Sequence, residues 1–527
     1  MQVSHTFGLD SAVFDEDNLV SCAGLVPVMA LAEQAGLSRL LDNNVHITST
    51  RVKSGAANPA PKLATLIASM CAGADYIDDV DLVRAGGMKT LFGRVYAPST
   101  VGTLLREFTF GHARQLDSVL TQHLAGLCQR VNLLPGADVR AFVDIDSLLR
   151  QVYGQAKQGA SYGHTKIAGK QVLRKGLSPL VTTLSTDIAA PVITGIRLRA
   201  GKAHSGKGAA RMVAQALQTA RAAGVTGRII VRGDSAYGSR AVIRVCRRYG
   251  AVFSLVLTRN AVVHRAIDSI PEDAWTPVHY PGAVPDPETG AWLSDAEVAE
   301  TAYTIAKTRT YPAVTARLIV RRVKDANQPQ DGLFPIWRYH PFFTNTTEPA
   351  TDADITHRRH AIIETTFADL IDGPLAHIPS GRFGANSAWA VCAAIAHNLL
   401  RATATLAGTR HRTARGNTLR RHLVNVPARL ARPQRRPILH LPRHWPWEPA
   451  WMTLWHNTPS ATDPAPEPPP PTRQRGPQQE KLDRPAAPSC PPPAQIKIKA
   501  QPATTGSIGG IRLSLNPWIS DFVLSRG

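Results

Sequence analysis

The spacing of hydrophobic residues changes near residue 135, which divides the chain into a helical part and a sheet-forming part. Before that point apolar residues recur every three or four positions, the spacing of amphipathic helices, over residues 26–41, 61–74 and 101–133. From Asp138 apolar and polar residues alternate, which predicts a strand with Asp144 and Asp146 on one face. We therefore expect a helical N-terminal region over residues 1–135, followed by an α/β domain.

Beyond residue 136 the pattern predicts a mixed sheet. Short apolar runs typical of buried strands occur at residues 180–186, 192–198, 228–231 and 252–257. Amphipathic helices are predicted at residues 209–223 and 237–249. Three successive strands followed by alternating helices and strands favour a sheet with an antiparallel edge, its first strand central and its fourth beside it. The Gly-, Lys- and Tyr-rich residues 153–175 are expected to form a loop.

The rest of the chain divides by composition. The first part of the α/β domain is expected to end at residue 259. The remaining residues are interpreted as a β-rich insertion, the closing helices of the α/β domain, a basic arm and a Pro-rich disordered tail, at residues 260–345, 346–408, 409–457 and 458–527. The arm carries nine arginines and no acidic residue over residues 409–437, so it is either a phosphate-binding segment or a solvated arm.

The charge balance narrows the choice of partner. With 60 Lys and Arg against 39 Asp and Glu, the net charge is +21, which favours a polyanion and above all nucleic acid. Short helices around a turn at Gly86-Gly87 suit a DNA-reading unit, and plain helical packing is an equally good interpretation. Six scattered cysteines, no signal peptide and no membrane segment indicate a reduced, cytoplasmic protein without structural zinc.

Three carboxylates stand out against this basic background. Asp146 lies on the first predicted strand, Asp234 follows the strand at residues 228–231, and Glu364 lies on a later helix. Ligands of open α/β sheets sit beyond the carboxyl ends of strands, although a lone aspartate there is more often a helix cap. Such a set of carboxylate oxygens suits Mg²⁺ or Mn²⁺, two ions per site, acting on a phosphodiester.

Several motifs resemble the RNase H-like DDE transposases of bacterial insertion sequences that carry a β-rich insertion. Phe142-Val-Asp-Ile-Asp-Ser-Leu resembles the first motif, in which the aspartate precedes Ser or Thr, and this favours Asp146 over Asp144. Val231-Arg-Gly-Asp-Ser-Ala-Tyr resembles the second motif, and His357-Arg-Arg-His-Ala-Ile-Ile-Glu resembles the signature Tyr-x-x-Arg-x-x-x-Glu. The likeness covers about residues 10–455.

The resemblance implies a metal-dependent transposase acting on double-stranded DNA. Asp146, Asp234 and Glu364 would ligate both ions, water would free a 3′-hydroxyl at the element's terminal inverted repeat, and that hydroxyl would attack target DNA. The family also implies a homodimer that holds two DNA ends at the nucleoid. Some relatives stack a flipped base on an aromatic ring, and the candidates here are Trp275, Trp292 and Trp337, for each of which packing in the core is the better interpretation.

Departures from the family pattern leave alternatives open. His357 and His360 replace the signature Tyr and Arg, and Ile371 replaces a Lys expected seven residues after the Glu. We expect Arg358 and Arg359, with the two histidines, to supply DNA contacts in their place. A catalytically decayed DNA-binding copy, and an RNase H-like nuclease without strand transfer, remain the competing hypotheses.

A glycine-rich stretch adds one more alternative. Residues 201–208 nearly match a nucleotide-binding P-loop, but Gly208 stands where Mg²⁺ binding needs Ser or Thr. We therefore expect Lys202, His204 and Lys207 to contact DNA phosphates or to cover a loop, and an ATPase is the weaker interpretation.

Overall fold

The computed structural model of the protein describes residues 11–49, 54–154, 156–167, 170–278, 296–324 and 336–458. The tail expected at residues 458–527 lies outside the described residues from position 459 onward. Trp292 and two stretches of the expected insertion, residues 279–295 and 325–335, also lie outside them.

The N-terminal region is helical, as predicted, but its helices are shorter than the apolar pattern suggests. They are preceded by β1 (Leu19–Val20) and comprise α1 (Leu25–Gln34), α2 (Leu37–Asn44), α3 (Pro59–Ala72), a 3₁₀ helix (Asp78–Val83), α4 (Met88–Leu91), α5 (Pro98–Leu105) and α6 (Phe110–Arg130). The single helix predicted at residues 26–41 is wrong, because Gly36 takes a left-handed φ of 81° that ends one helix and starts the next. The prediction for residues 101–133 is wrong likewise: Thr109 caps α6 in a reciprocal capping box with His112.

The central part of the chain forms most of the strands. Its elements are β2 (Arg140–Ser147), β3 (Arg150–Gln151), β4 (Ser161–Ile167), β5 (Lys170–Leu177), β6 (Leu180–Ser185), β7 (Val192–Arg197), α7 (Ala209–Ala222), β8 (Arg228–Gly233), α8 (Arg240–Arg248), β9 (Val252–Val256), α9 (Ala261–Asp268), β10 (Thr276–Pro277), β11 (Ala296–Ile305), β12 (Val314–Lys324) and β13 (Trp337–Thr344).

Helices and two short strands complete the described chain. They are α10 (Ala350–Arg358), a 3₁₀ turn (Arg359–Ile362), α11 (Ile363–Ile371), α12 (Phe383–Leu406), α13 (Thr409–Arg412), α14 (Gly416–Leu419), a π-helical turn (Arg420–Val424), β14 (Ala428–Ala431), β15 (Ile438–His440) and α15 (Glu448–Asn457). None of the helices in the described chain is long and apolar enough to cross a membrane.

Nine of the described strands form one mixed sheet in the order β10-β11-β12-β13-β9-β8-β2-β6-β7. Strand β8 runs parallel to β2 and to β9, and every other neighbouring pair is antiparallel. The predicted mixed sheet is therefore confirmed, with its first long strand β2 between β6 and β8. The strands after residue 260 extend this same sheet from β9, because β13 pairs with β9.

Helices α7 and α8 cover one face of the sheet around β2. Ile145 pairs with Thr182 and Thr182 with Gly195, so these three residues share one face. Met212 of α7 packs on Gly195, so α7 lies on that face, and α8 joins it through a hydrogen bond from Gln218 to the Tyr249 hydroxyl. Side chains alternate along a strand, so Asp144 and Asp146 point to the other face.

The expected loop at residues 153–175 is wrong, since β4 and β5 form an antiparallel hairpin that also pairs with β3. Its glycines permit close packing: a Cβ added at Gly163 would lie 2.3 Å from the carbonyl oxygen of Gly201. Glycine-rich composition by itself indicates a loop, whereas here the missing side chains let one strand rest on a neighbouring backbone.

The basic arm folds back onto the chain. Strand β14 pairs with β1 at the N-terminus, and the buried Arg420 side chain is 7% exposed. Arg415 donates to the Asp369 carboxylate of α11. The interpretation of this segment as a solvated arm is therefore wrong, because several of its arginines bind acidic and carbonyl groups of the core.

Helix α12 covers the unpaired side of β7, the last strand of the sheet. Asn398 accepts a hydrogen bond from the Ile193 N–H at 2.7 Å and donates to the Ile193 carbonyl at 2.8 Å, so its amide replaces a missing strand partner for β7. The helix is buried over most of its length, as its apolar pattern predicts.

One buried ion pair joins β2, β8 and α10. The Arg232 Nε lies 2.7 Å from Asp144 Oδ1, its Nη2 lies 2.8 Å from Oδ2, and both side chains are 1% exposed. The remaining Nη1 donates to the carbonyl of Thr356 on α10, and the guanidinium lies over the Phe142 ring at 4.0 Å. Both charges are therefore fully compensated, and the pair fixes the register of the two strands that lead to the candidate site.

Breaking this pair is expected to be costly. Asp144→Asn leaves the Arg232 charge buried without a counter-charge, and we expect it to lower the free energy of unfolding by about 3–5 kcal/mol. Denaturant titration measures this. The matched control is Asp187→Asn, which breaks the more exposed pairs with Arg140 and Arg359 and should cost about 1 kcal/mol. Equal costs for the two variants would contradict the assigned role of the Asp144–Arg232 pair.

Candidate active site

Two of the predicted carboxylates lie at the carboxyl ends of neighbouring parallel strands. Ile145 of β2 pairs with Gly233 of β8, so the next residue on each strand is Asp146 or Asp234. Neighbouring strands are about 4.8 Å apart. The parallel register therefore brings Asp146 and Asp234 to the same edge of the sheet, as the sequence predicts. Asp234 is exposed, and its Oδ1 accepts a hydrogen bond from the Ala236 N–H at 2.9 Å.

Glu364 reaches the same edge from the first turn of α11, and it is exposed. Burial raises the pKa of the Asp146 carboxyl to about 7, and the negative charges of Asp234 and Glu364 add to the increase. Hydrogen bonds from the Ser147 N–H and the Tyr237 hydroxyl oppose it. Asp234 and Glu364 therefore both lie close enough to act electrostatically on Asp146.

Asp144 and Asp146 lie on the same face of β2 but have different partners. Its two oxygens are occupied by Arg232 in the buried ion pair. Within the described residues, no Lys, Arg or His forms an ion pair with Asp146, Asp234 or Glu364. Because Asp144 is already neutralised by Arg232 and Asp146 has no such partner, the structure supports the choice of Asp146 over Asp144.

The sequence pattern did not single out Tyr237 and Arg199, which also act on Asp146. The Tyr237 side chain is fully buried and its hydroxyl lies 3.5 Å from Asp146 Oδ1. Gly233 makes room for it, because a Cβ there would lie 3.2 Å from the Tyr237 Cβ and 3.1 Å from Ile145 Cγ2. Burial lowers the pKa of the Arg199 guanidinium, while Tyr237 and Asp146 act in the opposite direction. An aromatic residue three positions after a strand-end aspartate is the signal that could have identified Tyr237.

The donor set fits a hard divalent cation. Carboxylate oxygens are the ligands that Mg²⁺ and Mn²⁺ prefer, and three like charges at one edge favour a cation that relieves their repulsion. As the side chains stand, no group of three or more Asp, Glu, His or Cys residues in the described chain is gathered closely enough to hold a metal ion. The chemistry of the residues therefore fits, while the described conformation is not a preformed cage.

The loop carrying Lys202, His204 and Lys207 borders this edge, and all three residues are exposed. A Cβ added at Gly206 would lie 2.7 Å from the Ala236 carbonyl oxygen, so the loop abuts the turn after Asp234. The loop folds around the Arg199 guanidinium, whose Nη1 donates to the carbonyls of residues 204, 205 and 207. A P-loop instead directs N–H groups at a phosphate, so this geometry argues against nucleotide binding there.

The four basic residues before Glu364 point in different directions. His357 is 6% exposed, its Nδ1 lies 2.9 Å from the Ser254 hydroxyl, and its ring stacks on Phe342 at 4.3 Å. Burial lowers the pKa of His357 well below its usual value, so the ring is neutral. A direct phosphate contact by His357 is therefore not supported, since the ring packs in the core.

Its neighbours are more accessible. His360 is half-buried, and its Nδ1 contacts the His357 carbonyl oxygen at 2.6 Å. Arg359 is exposed and pairs with Asp187, which lies beyond β6 at the opposite edge of the sheet. Arg358 lines a 670 Å³ cavity shared with His360, Arg259 and Arg321. Of the four, His357, Arg358 and His360 line this cavity, and so does Ser235, the residue after Asp234.

The two described tryptophans of the insertion pack around an arginine. The Arg322 guanidinium lies 4.3 Å from the ring of Trp275 and 4.3 Å from the ring of Trp337. Glu272 and Glu297 accept hydrogen bonds from the same guanidinium. Both rings are half-buried and contact this guanidinium, so neither is a fully buried core residue as the sequence interpretation expected. Trp292 lies outside the described residues.

Comparison with known proteins places the chain in a family. No curated protein matches it. The family model described as transposase DDE domain, group 1, matches residues 11–460, which is most of the chain and includes Asp146, Asp234 and Glu364. Because the match covers most of the chain, the chain belongs to the DDE transposases.

Proposed function

We propose that Asp146, Asp234 and Glu364 form the catalytic centre of a transposase that cuts DNA at terminal inverted repeats and joins the freed ends to target DNA. The observation that carries the proposal is the register of β2 and β8, which aligns the two aspartates at one edge, with Glu364 acting on the same carboxyl group. Family membership supports a role in DNA transposition and recombination.

The proposal includes an RNase H-like catalytic domain. In its favour are the strand order β7-β6-β2-β8-β9, with the first long strand central, and helices α7 and α8 following β7 and β8. In this interpretation β10 to β13 belong to an insertion between the second aspartate and the glutamate. The N-terminal helices share the hydrophobic core of the sheet and α12, and the basic arm packs beside them.

The carboxylates would hold two divalent ions, Mg²⁺ or Mn²⁺. When bound, these ions activate a water and stabilise charge on the attacking and leaving oxygens of a phosphodiester. Tyr237 and the Ser147 N–H orient the Asp146 carboxylate from the protein side. Arg232 neutralises Asp144, so that only carboxylates facing the edge are left for metal and substrate.

DNA contacts are proposed on the basic loop and the turn before Glu364. Lys202, His204 and Lys207 are exposed beside the Asp234 turn, and Arg358 and His360 line the neighbouring cavity. Phosphate contacts of this kind position a duplex without reading its sequence. We propose that two copies of the chain act together on two DNA ends at the nucleoid.

A catalytically decayed copy is the second candidate. The observation in its favour is His357, because the family signature has a tyrosine at this position and the histidine here is buried against Phe342. Such a protein would bind the repeats and leave them intact.

Replacing the carboxylates tests the first proposal. Asp146→Asn, Asp234→Asn and Glu364→Gln should each lower metal-dependent nicking of an end-labelled duplex carrying the element's terminal repeat by about a hundredfold or more, because each removes a charged ligand worth several kcal/mol in the transition state. Asp187→Asn, at the opposite edge, is the matched control and should nick at the wild-type rate. Wild-type protein that binds this duplex in Mg²⁺ or Mn²⁺ and never nicks it would instead support the decayed copy.

Metal removal separates binding from cleavage. With EDTA, the wild-type protein should still shift the repeat-bearing duplex in a gel but should leave it uncut, because phosphate contacts by basic side chains do not need the ions. Adding Mg²⁺ or Mn²⁺ in excess should restore nicking. Equal nicking with and without EDTA would exclude the metal-dependent mechanism.

Neutralising the basic loop tests the DNA contacts. Lys202→Gln with Lys207→Gln should reduce the dependence of log affinity on log salt concentration for the repeat-bearing duplex by about two, since each phosphate contact contributes about 0.9. Arg429→Gln, at an exposed position of β14 outside the loop, should leave this slope unchanged. A double variant with the wild-type slope would remove the loop from the DNA interface.

A further inference from the structure

Helix α8 presents a row of arginines that the proposed catalytic centre does not use. Arg240, Arg244 and Arg248 follow one another at intervals of four residues, so they lie along one side of the helix about 6 Å apart. Arg247 lies beside them, and all four are exposed. Within the described residues the guanidinium groups of Arg244, Arg247 and Arg248 form no ion pair with an acidic residue.

The row lines a groove closed on its other side by the turn between β11 and β12. We call this the α8 groove and define it by the four arginines with Thr310 and Tyr311. Arg240 donates to the Ala306 carbonyl at 3.3 Å, and the Arg244 guanidinium lies 5.8 Å from the Tyr311 ring, so both ends of the turn contact the helix. A cavity of 470 Å³ here adjoins one of 510 Å³ that shares Arg240 and Tyr311.

The position of the groove relates it to the carboxylates. Ser239 caps α8 only five residues after Asp234, so Arg240 begins at the same edge as the candidate site. The helix then runs away from that edge on the face covered by α7, which is opposite to the face of Asp146. The groove and the Lys202–Lys207 loop are therefore two separate cationic surfaces that both begin near the candidate site.

The chemistry of the groove favours a nucleic-acid backbone. No acidic residue is among the described residues lining either cavity. Guanidinium groups bind phosphates in a bidentate manner, and each strand of a duplex offers one phosphate for about every 3.4 Å of helix axis. Contacts to phosphates carry no sequence information, so such a surface can hold DNA of arbitrary sequence.

We propose that the α8 groove binds the backbone of target DNA during strand joining. The inference rests on the proposed function, because a transposase must hold an element end and a target duplex at the same carboxylates. We assign the element end to the loop at residues 202–207, because this loop abuts the turn after Asp234, which leaves the α8 groove for the second duplex.

Salt-dependent binding of a short repeat-free duplex tests the groove without requiring catalysis. The triple variant Arg244→Gln, Arg247→Gln and Arg248→Gln should reduce the slope of log affinity against log salt concentration by about two to three. The matching Lys triple variant, which keeps the charge, should restore most of the slope. Arg265→Gln, an exposed arginine of α9 outside the groove, is the control and should not change it. A glutamine triple variant with the wild-type slope would overturn the proposal.

Strand joining identifies which duplex the groove holds. Joining is measured with a pre-cut repeat end and plasmid DNA, and nicking with the uncut repeat-bearing duplex. The glutamine triple variant should lower the ratio of joining to nicking at least tenfold. Nicking that falls as far as joining would overturn the assignment to target DNA and place the element end in the groove. An altered oligomeric state with unchanged DNA binding would instead assign the groove to a second copy of the chain. Wild-type protein that never nicks would refute the proposed function alone, because the salt slopes are measured without cleavage.

Discussion

The buried pair between Asp144 and Arg232 is the interaction on which the candidate site depends. It joins two neighbouring parallel strands two residues before the proposed catalytic residues Asp146 and Asp234, and it reaches α10 through the Thr356 carbonyl. The next α-helix along the chain, α11, carries Glu364. One guanidinium therefore connects the two strands that lead to Asp146 and Asp234 with α10, the helix that precedes α11. Its charge is fully compensated where burial would make an unpaired charge costly.

The same pair shows how a basic chain keeps an acidic centre. Asp144 is neutralised inside the sheet, whereas Asp146, Asp234 and Glu364 are left without a basic partner among the described residues, and the latter two raise the proton affinity of Asp146. Cationic side chains gather instead on surfaces that leave the edge, the loop at residues 202–207 and the α8 groove. This separation suits a protein that binds a polyanion around a site reserved for metal cations.

Local patterns predicted β2, β6, β7, β8 and β9 and the position of β8 beside β2, because period-two alternation and short apolar runs directly reflect burial. They missed what depends on single contacts across the chain. The breaks at Gly36 and Thr109 occur within continuous apolar periodicity, and the β4–β5 hairpin contains glycines that normally indicate a loop. Alternation alone also gives Asp144 and Asp146 the same face, so the family motif was needed to choose between them, and the position of Arg232 supplies the physical reason.

Direct measurement of metal binding tests the central claim, that Asp146, Asp234 and Glu364 form one cation site. Titration of the purified full-length protein with Mn²⁺, followed by the paramagnetic signal of the free ion, counts bound ions without any DNA or catalytic step. We predict that the wild-type protein and Asp187→Asn bind Mn²⁺ alike, and that Asp146→Asn, Asp234→Asn and Glu364→Gln each lose affinity. Undiminished binding by all three variants would contradict the account.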